Sequence, residues 1–537
     1  MTREIELKLA LAEGQGIKLV ETALLGGFRE GRADHGTIRD SYFDTAEQHL
    51  IQRGVGIRIR DRDDGRRIQS AKSSGQGFSG LHDRQEWESP VSELRPDLSL
   101  LPDWLFESTQ QRQQIDQQLA PVFTIEFERY TWQIEYADAS IEAVLDQGNI
   151  RSGELHDTIN EIELELKSGD SEALFDLAAD LSEKLQLRFE NQDKASRGYQ
   201  LTQQIRLEPE PLQFPALPEQ GNLEDFIELI FSAVLNNWQH NELCWQRARR
   251  ADERAADLQF IKLEQAHLAH WDIDTATPGH EQRLALSFIQ MTRALETLMT
   301  LLQVMKEPIA EPLRVEISRP LGNLLHALQP LSRLLQTEIR IQGMGHRTPV
   351  SLTPVLNLLE SRKFSVLRQA MRALSDNSHN RFVLKLGKLL HQRHWRGRLN
   401  QIQLKPLLQP TAEWASQQLD THWSLLSKEM EQADDCHSWL MLDHRIHELL
   451  LLCQTSGSLL SDGCSDFIAS VQLLQGHMDQ LHYLEIILAG YEGLDASEAR
   501  AEIGDWLSHQ QGGTLHDLVT LKQKLFSRKP FWQLPIA

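Results

Sequence analysis

EIELKLAL, residues 4–11, alternates charged and apolar side chains from Glu4 to Leu9. A period of two belongs to a β-strand, whose side chains point to opposite faces in turn. Glu4, Glu6 and Lys8 therefore share one face, and Ile5 and Leu7 lie on the other. GIRIRDR (56–62), RQEWES (84–89), TIEFERYTWQIEY (124–136) and NEIELELK (160–167) read the same way. Arg58 and Arg60 share a face, as do Arg84, Glu86 and Glu88, and as do Glu161, Glu163 and Glu165. The opposite faces carry Ile57, Ile59, Ile162, Leu164 and Leu166, which suit a packed core. SEALFDLAADLSEKLQL (171–187) interrupts the strands with a helical stripe of Leu174, Leu177, Leu181 and Leu185.

A single charged strand face suits water. Here, however, the charges are segregated strand by strand, with glutamates at both ends of the region and arginine pairs between them. Three carboxylates in a row on one strand face repel one another, so a bound cation would explain them. Clustered arginine and lysine would in turn explain themselves by facing a polyanion. Turning both sets inward around one cavity makes a metal–polyphosphate site. Carboxylate oxygens suit Mg²⁺ or Mn²⁺, and phosphoryl transfer needs little beyond positioning and charge neutralisation.

The ordered set of motifs resembles the CYTH proteins, the triphosphate tunnel metalloenzymes. It runs from ExExK (Glu4, Glu6, Lys8) through YFDT (42–45), RIR (58–60), Lys72, RxExE (84–88), Arg129, Asp146 and EIELE (161–165) to KASRGY (194–199). The resemblance implies an eight-stranded antiparallel β-barrel with a tunnel. It implies that Lys8, Arg58, Arg60, Lys72, Arg129 and Lys194 bind phosphate, with Arg84 and Arg197 as secondary candidates. It places metal on Glu4 and Glu6, with Asp146, Glu161, Glu163 and Glu165 as further metal or water-positioning groups. Glu86 and Glu88 would be extra wall carboxylates, while Tyr42 and Phe43 read as packing. Glu4, Glu6, Lys8, Glu161 and Glu163 are the expected catalytic residues, and the implied reaction converts inorganic triphosphate to diphosphate and phosphate with Mg²⁺ or Mn²⁺.

Prolines 209, 211, 215 and 218 make LEPEPLQFPALPEQG (207–221) a semi-rigid linker. Beyond it the apolar period becomes helical. LEDFIELIFSAVLNNW aligns Phe226, Ile230, Val234 and Trp238, and 283–302 and 381–395 repeat the pattern. This half resembles a CHAD domain, a helical histidine-containing module. The order of barrel, linker and bundle, with KPFW (529–532) near the end, is most similar to the bacterial two-domain CYTH–CHAD inorganic triphosphatases. His280 and Arg283 have the CHAD spacing, but Ser287, Phe288 and Gln290 stand where further arginines are expected. A second basic face (Arg381, Lys385, Lys388, then His391, His394, Arg396 and Arg398) is spaced to hold an anionic chain such as polyphosphate, or else to face water. The fold class is thus α+β, with a CYTH domain at 1–205, a linker at 206–221 and an all-α CHAD-like bundle at 222–537.

Composition narrows the function further. The chain has 537 residues and a formal net charge of −22, which argues against DNA and membrane-surface partners. Cys244, Cys436, Cys453 and Cys464 form no CxxC pair, as expected of a reduced cytoplasmic protein. There is no signal-peptide core at the N-terminus and no stretch apolar enough to span a bilayer. Gly75, Gly77 and Gly80 spell GxGxxG, but a strand pattern follows them, which rules out a dinucleotide loop. His437, Asp443, His444 and His447 are not read as a metal site, and the tryptophans of the helices read as core. Other functions fit the same barrel: hydrolysis of an organic triphosphate (thiamine or nucleoside triphosphate), adenylate cyclisation, and polyphosphate binding without turnover.

Overall fold

The computed structural model describes residues 2–12, 14–25, 34–73, 76–78, 80–203, 207–256, 280–344, 352–460, 464–494 and 498–533. Two compact units emerge: residues 1–207 with 376–391, and residues 208–375 with 392–537.

The first unit is a closed antiparallel barrel. Its strands are β1 (Thr2–Leu11), β2 (Asp34–Asp44), β3 (Val55–Arg62), β4 (Arg67–Ser73), β5 (Gln76–Phe78), β6 (Leu81–Pro90), β7 (Ala120–Tyr136), β8 (Ala139–Ser152), β9 (Leu155–Ser168) and β10 (Leu187–Phe189). Eight of them form the ring β1-β9-β8-β7-β2-β3-β4-β6, which closes through β6 back onto β1; β5 extends β6 and β10 extends β1. Closure leaves the ring without a free edge. The register places Lys8 opposite Glu163 and Glu6 opposite Glu165 on one side of β1, and Glu4 opposite Arg84 on the other.

The alternation assigns the two faces. Leu7, Leu9, Trp132, Leu145, Ile162 and Leu164 point outward and are fully buried beneath α1 (Ile17–Leu25) and α4 (Glu172–Leu181), with Leu174, Leu177 and Leu181 packed onto them. Ile57, Ile59, Ala71 and Trp87 point outward on the other side. They pack under the excursion that holds Leu98, Phe106 and α3 (Thr109–Gln118). Burying each large aliphatic side chain contributes about 1.5–3 kcal/mol, so the outer layers hold the barrel together and leave the interior free to be polar.

Part of the inner face is apolar, where Ile38, Tyr42, Phe123, Ile125, Phe127, Ile150 and Ile159 gather with Tyr199 of α5 (Lys194–Gln203). Gly198 lets α5 approach, because a Cβ there would lie 2.1 Å from the Phe123 ring. Asp44, in the YFDT motif, accepts the backbone N–H groups of Leu50 and Ile51 in the short helix α2 (His49–Gln52), and the Tyr199 hydroxyl at 3.0 Å.

The helix expected over 171–187 stops at Leu181. The chain then turns so that Leu187–Phe189 can pair with β1, while Leu185 stays in the core. The helix expected through 395 ends at Leu390, and Gln392 and Arg393 adopt left-handed φ values of 47° and 59°. This helix, α6 (Asn377–Leu390), belongs to the first unit. Leu384 joins the cluster under α4, Lys388 pairs with Glu172 and Asp176 at 2.7 and 2.6 Å, and Arg381 pairs with Glu183 at 3.6 Å.

The second unit is helical. Residues 207–218 form no regular element, and the Glu208 and Glu210 carbonyls are held by His240, Asn237 and Asn241 of the helix Ser232–Ala256. The long helices His280–Val304, Glu311–Met344, Thr353–Ser375, Thr411–Gln432, Asp443–Leu460, Ser465–Tyr491 and Glu498–Phe526 pack around an apolar interior. Trp238, Trp245, Trp395 and Trp414 are core, whereas Trp271 lies outside the described residues.

Candidate functional site

Side chains of one strand parity line the barrel, and most of them are charged. Glu4, Glu6, Lys8, Asp40, Arg58, Arg60, Arg84, Glu86, Asp146, Glu161, Glu163, Lys194 and Arg197 are all less than a tenth exposed. Burial of so many charges requires pairing, and the pairs form two networks joined by Arg58 and Glu86 at 3.8 Å. In the first, Lys194 contacts Asp146 at 2.7 Å, Glu163 at 2.9 Å, and Glu161. Arg129 grips Asp146 with two hydrogen bonds of 2.7 and 2.6 Å and reaches Glu163 at 3.0 Å. Lys8 bridges Glu163 and Glu6, and Arg197 reaches Glu161 at 3.4 Å and Asp157 at 2.7 Å. Glu6 then meets Arg84, which continues to Glu4 at 3.2 Å and Asp193 at 2.7 Å; Lys72 holds Glu4 at 2.6 Å and Glu86 at 3.3 Å.

The second network is centred on Asp40, which is fully buried. It accepts two 2.8 Å hydrogen bonds from Arg60 and pairs with Arg58 at 3.2 Å. Arg58 also donates to the Tyr42 hydroxyl at 3.3 Å. The Phe127 ring lies within 6 Å of three cationic groups: Arg60 (5.9 Å), Arg129 (5.5 Å) and Lys194 (5.5 Å). An aromatic face attracts cations without neutralising them, so Phe127 gathers charge while leaving it available to an anion.

Asp146, Glu161 and Glu163 each offer a carboxylate oxygen within 4.8 Å of the others, and all three are buried. Their environments differ. Burial raises the Glu161 pKa, and Lys194 and Lys8 only partly oppose it. Burial acts on Glu163 too, but Lys194, Lys8 and Arg129 outweigh it and hold its pKa well below the carboxylate range. Asp146 is likewise lowered, with Arg129 and Lys194 overcoming burial. Three convergent hard oxygen donors fit a divalent cation, whose charge would do for this trio what Lys194 does in the structure.

The residues expected from sequence meet inside the barrel: Glu4, Glu6, Lys8, Arg58, Arg60, Lys72, Arg84, Arg129, Asp146, Glu161, Glu163, Lys194 and Arg197. The geometry groups Asp146 with Glu161 and Glu163, whereas Glu4 and Glu6 are gripped by Lys72, Arg84 and Lys8. Glu165 is half-buried beside Lys167 at 2.7 Å, and Glu88 is exposed on the strand that carries buried Glu86. Tyr42 points inward and Phe43 outward into the second apolar cluster.

Sequence reading missed Asp40, Asp157, Asp193 and Phe127. Asp40 shares a parity with Tyr42 and could have been found that way; Asp157 and Asp193 gave no signal, because their partners come from distant elements. Gly75 and the side chains of Gln76 and His280 lie outside the described residues. Ser287 and Phe288 are fully buried, Arg283 pairs with Glu208 at 3.0 Å, and Arg396 and Arg398 pair with Glu224 and Glu316.

Fold and lining together define a closed β-barrel that carries its charge on the inner wall. Residues 2–199 match the CYTH domain model, and this part of the chain is a CYTH domain. The "Inorganic triphosphatase" of Haemophilus influenzae is 34% identical over 201 residues, covering 37% of this chain and 55% of that protein. The match thus spans about half the length of this relative. Two solved structures are also similar. A Hippeastrum protein described as an adenylyl cyclase candidate with a dominant triphosphatase activity is 21% identical, covers 36% of this chain and 95% of its own, and gives a TM-score of 0.29. An adenylate cyclase candidate from Bacillus halodurans is 20% identical, covers 37% and 98%, and gives 0.25.

Proposed function

We propose that the barrel hydrolyses inorganic triphosphate to diphosphate and phosphate with Mg²⁺ or Mn²⁺. The observation that carries this reading is the buried trio Asp146, Glu161 and Glu163 enclosed by Lys8, Arg129 and Lys194. A plain anion receptor gains nothing from carboxylates that repel its ligand. The 34% identity to a protein named for inorganic triphosphate hydrolysis supports the same reaction.

Lys8, Arg58, Arg60, Lys72, Arg129 and Lys194 bind and align the triphosphate by exchanging carboxylate partners for phosphate oxygens. Asp146, Glu161 and Glu163 hold the divalent cation, with Glu6 reaching the same network through Lys8. When bound, that cation would neutralise phosphate charge and acidify a coordinated water. The remaining carboxylates orient water for in-line attack, and the apolar part built on Phe123, Phe127 and Tyr199 limits bulk water there. The four cysteines, with no CxxC pair, suit a reduced, cytoplasmic setting, and no described helix is long and apolar enough to cross a membrane. In the helical part the positions of Ser287 and Phe288, where further arginines are expected, are fully buried, so we read that unit as a scaffold.

The test is phosphate release by the full chain from inorganic triphosphate, ATP and thiamine triphosphate, with Mg²⁺ or Mn²⁺ and with chelator. Fastest turnover of inorganic triphosphate, abolished by chelation, is the expected result. Preference for an organic triphosphate would replace the substrate, and release unaffected by chelation would overturn the metal's role.

A further inference from the structure

One basic side chain of the barrel has no role in the chemistry so far. Arg62 ends β3 with the same parity as Arg58 and Arg60 and is half-buried. Its Nε is buried and has no hydrogen-bond partner. Among the described residues it forms no ion pair, whereas Lys8, Arg58, Arg60, Lys72, Arg84, Arg129, Lys194 and Arg197 each hold a carboxylate.

The acids around Arg62 are engaged elsewhere. Asp63 accepts the Thr37 N–H at 3.0 Å. Asp64 accepts Arg66 through its backbone N–H at 2.9 Å and its Nε at 2.6 Å. Asp40 is taken by Arg60, and Asp146 by Arg129. Positive charge is therefore in local excess. Partial burial, then the charges of Arg60, Arg66 and Arg129, push the Arg62 pKa below its ordinary value. Position adds a second constraint. Ala195 of α5 lies against Gly56 near the start of β3, 3.6 Å from where a Cβ would stand, and Arg62 is that strand's last residue. It stands at the end of β3 away from the α5 contact, opposite Ile38 in register.

We propose that Arg62 is a substrate-binding residue that receives a terminal phosphate of inorganic triphosphate and favours it over a triphosphate esterified at that end. This rests on the triphosphatase reading above. A free terminal phosphate carries up to about two charges near neutral pH, and its three oxygens suit the guanidinium fork. An esterified phosphate carries one charge fewer and presents a bulky substituent where Arg62 would bind.

The test compares the full-length wild type with Arg62→Ala and Arg62→Lys, using inorganic triphosphate and ATP as substrates. Loss of one charge-assisted contact on a half-exposed arginine is expected to raise KM for inorganic triphosphate about tenfold in Arg62→Ala. KM for ATP should move less than about twofold, kcat should change little, and Arg62→Lys should recover part of the loss because it keeps the charge. An unchanged KM for inorganic triphosphate, or equal rises for both substrates, overturns the assignment. Calorimetric titration with inorganic triphosphate separates the two readings. A wild type that binds without hydrolysing removes the hydrolase reading, while weaker binding by Arg62→Ala still supports Arg62. Hydrolysis by the wild type with equal binding by Arg62→Ala overturns Arg62 alone, and no binding by the wild type overturns both.

Discussion

The interiors of the two units are built by opposite rules. Inside the barrel, acids and bases alternate on buried walls, and each fully buried charge is held by another. Inside the helical unit the walls are leucine and tryptophan, and even Ser287 and Phe288, where the CHAD resemblance expects arginines, are fully buried. Among its polar groups is Asp443, with His447 at 3.4 Å and His482 at 3.1 Å. A core of the second kind is sufficient for stability. One of the first kind costs desolvation that apolar packing avoids, and it persists in the barrel because the outer layers supply the packing separately. That division of labour marks the barrel interior as the working part.

The largest expected contrast comes from Lys194→Ala. It leaves Asp146, Glu161 and Glu163 facing one another without the lysine shared by all three. Turnover should fall by about two to three orders of magnitude. Metal-free stability should fall by about 3–5 kcal/mol, and Mn²⁺ should restore much of it by replacing the missing positive charge. Chemical denaturation with and without Mn²⁺ reads this; a loss indifferent to metal would break the assignment of the trio.

Gly198→Ala tests the apolar packing beneath α5. A methyl group there would meet the Phe123 ring at 2.1–2.4 Å, and overpacking of this kind costs about 1–3 kcal/mol. The shift of α5 should carry Lys194 with it and reduce turnover, so an active and equally stable variant would contradict the packing.

Acid and base should separate the units. Asp146 and Glu163 have lowered pKa values. Their stabilisation is present above the unfolded values of about 4 and is lost as pH falls toward the lower folded ones. Glu161, raised by burial, acts in the opposite sense and blunts the effect. In the helical unit His447 is pushed up to about 9, with burial opposed by Asp443. Its contribution is complete below about 6.5 and disappears as pH rises through about 9. His447 is nearly half exposed, so the alkaline change is the smaller one. Hydrogen exchange, corrected for intrinsic rate, should show β9 loosening first in acid and the helix Asp443–Leu460 first in base; simultaneous loosening would refute the contrast.

The smallest effect is Gly512→Ala. This exposed helical glycine has nothing within 4 Å of a new Cβ, and the substitution should stabilise by about 0.5–1 kcal/mol. The same mutation thus has opposite signs in the two units.

Parity made the inner wall legible from sequence. A strand's period is local, so Glu4, Glu6, Lys8, Arg58, Arg60, Glu161 and Glu163 could be assigned a face without knowing their neighbours. Their partners could not be read, because pairing depends on β1 lying between β9 and β6, a fact of tertiary order. Asp193 meets Arg84 only because α5 returns to the barrel. Arg62 closes GIRIRDR with the parity of Arg58 and Arg60, but lacking a partner is a property of its surroundings that a local period does not show. α6 looked like any amphipathic helix of the second half; its place beside α4 depends on Lys388 finding Glu172 and Asp176 across about 200 residues of chain.

The most direct measurement is Mn²⁺-dependent phosphate release from inorganic triphosphate by the wild type and by Glu163→Gln, which keeps the shape and removes the charge. The expected result is steady release by the wild type, none after chelation, and at least about a hundredfold loss in Glu163→Gln. Equal release by both proteins would show that the enclosed carboxylates do not perform the reaction.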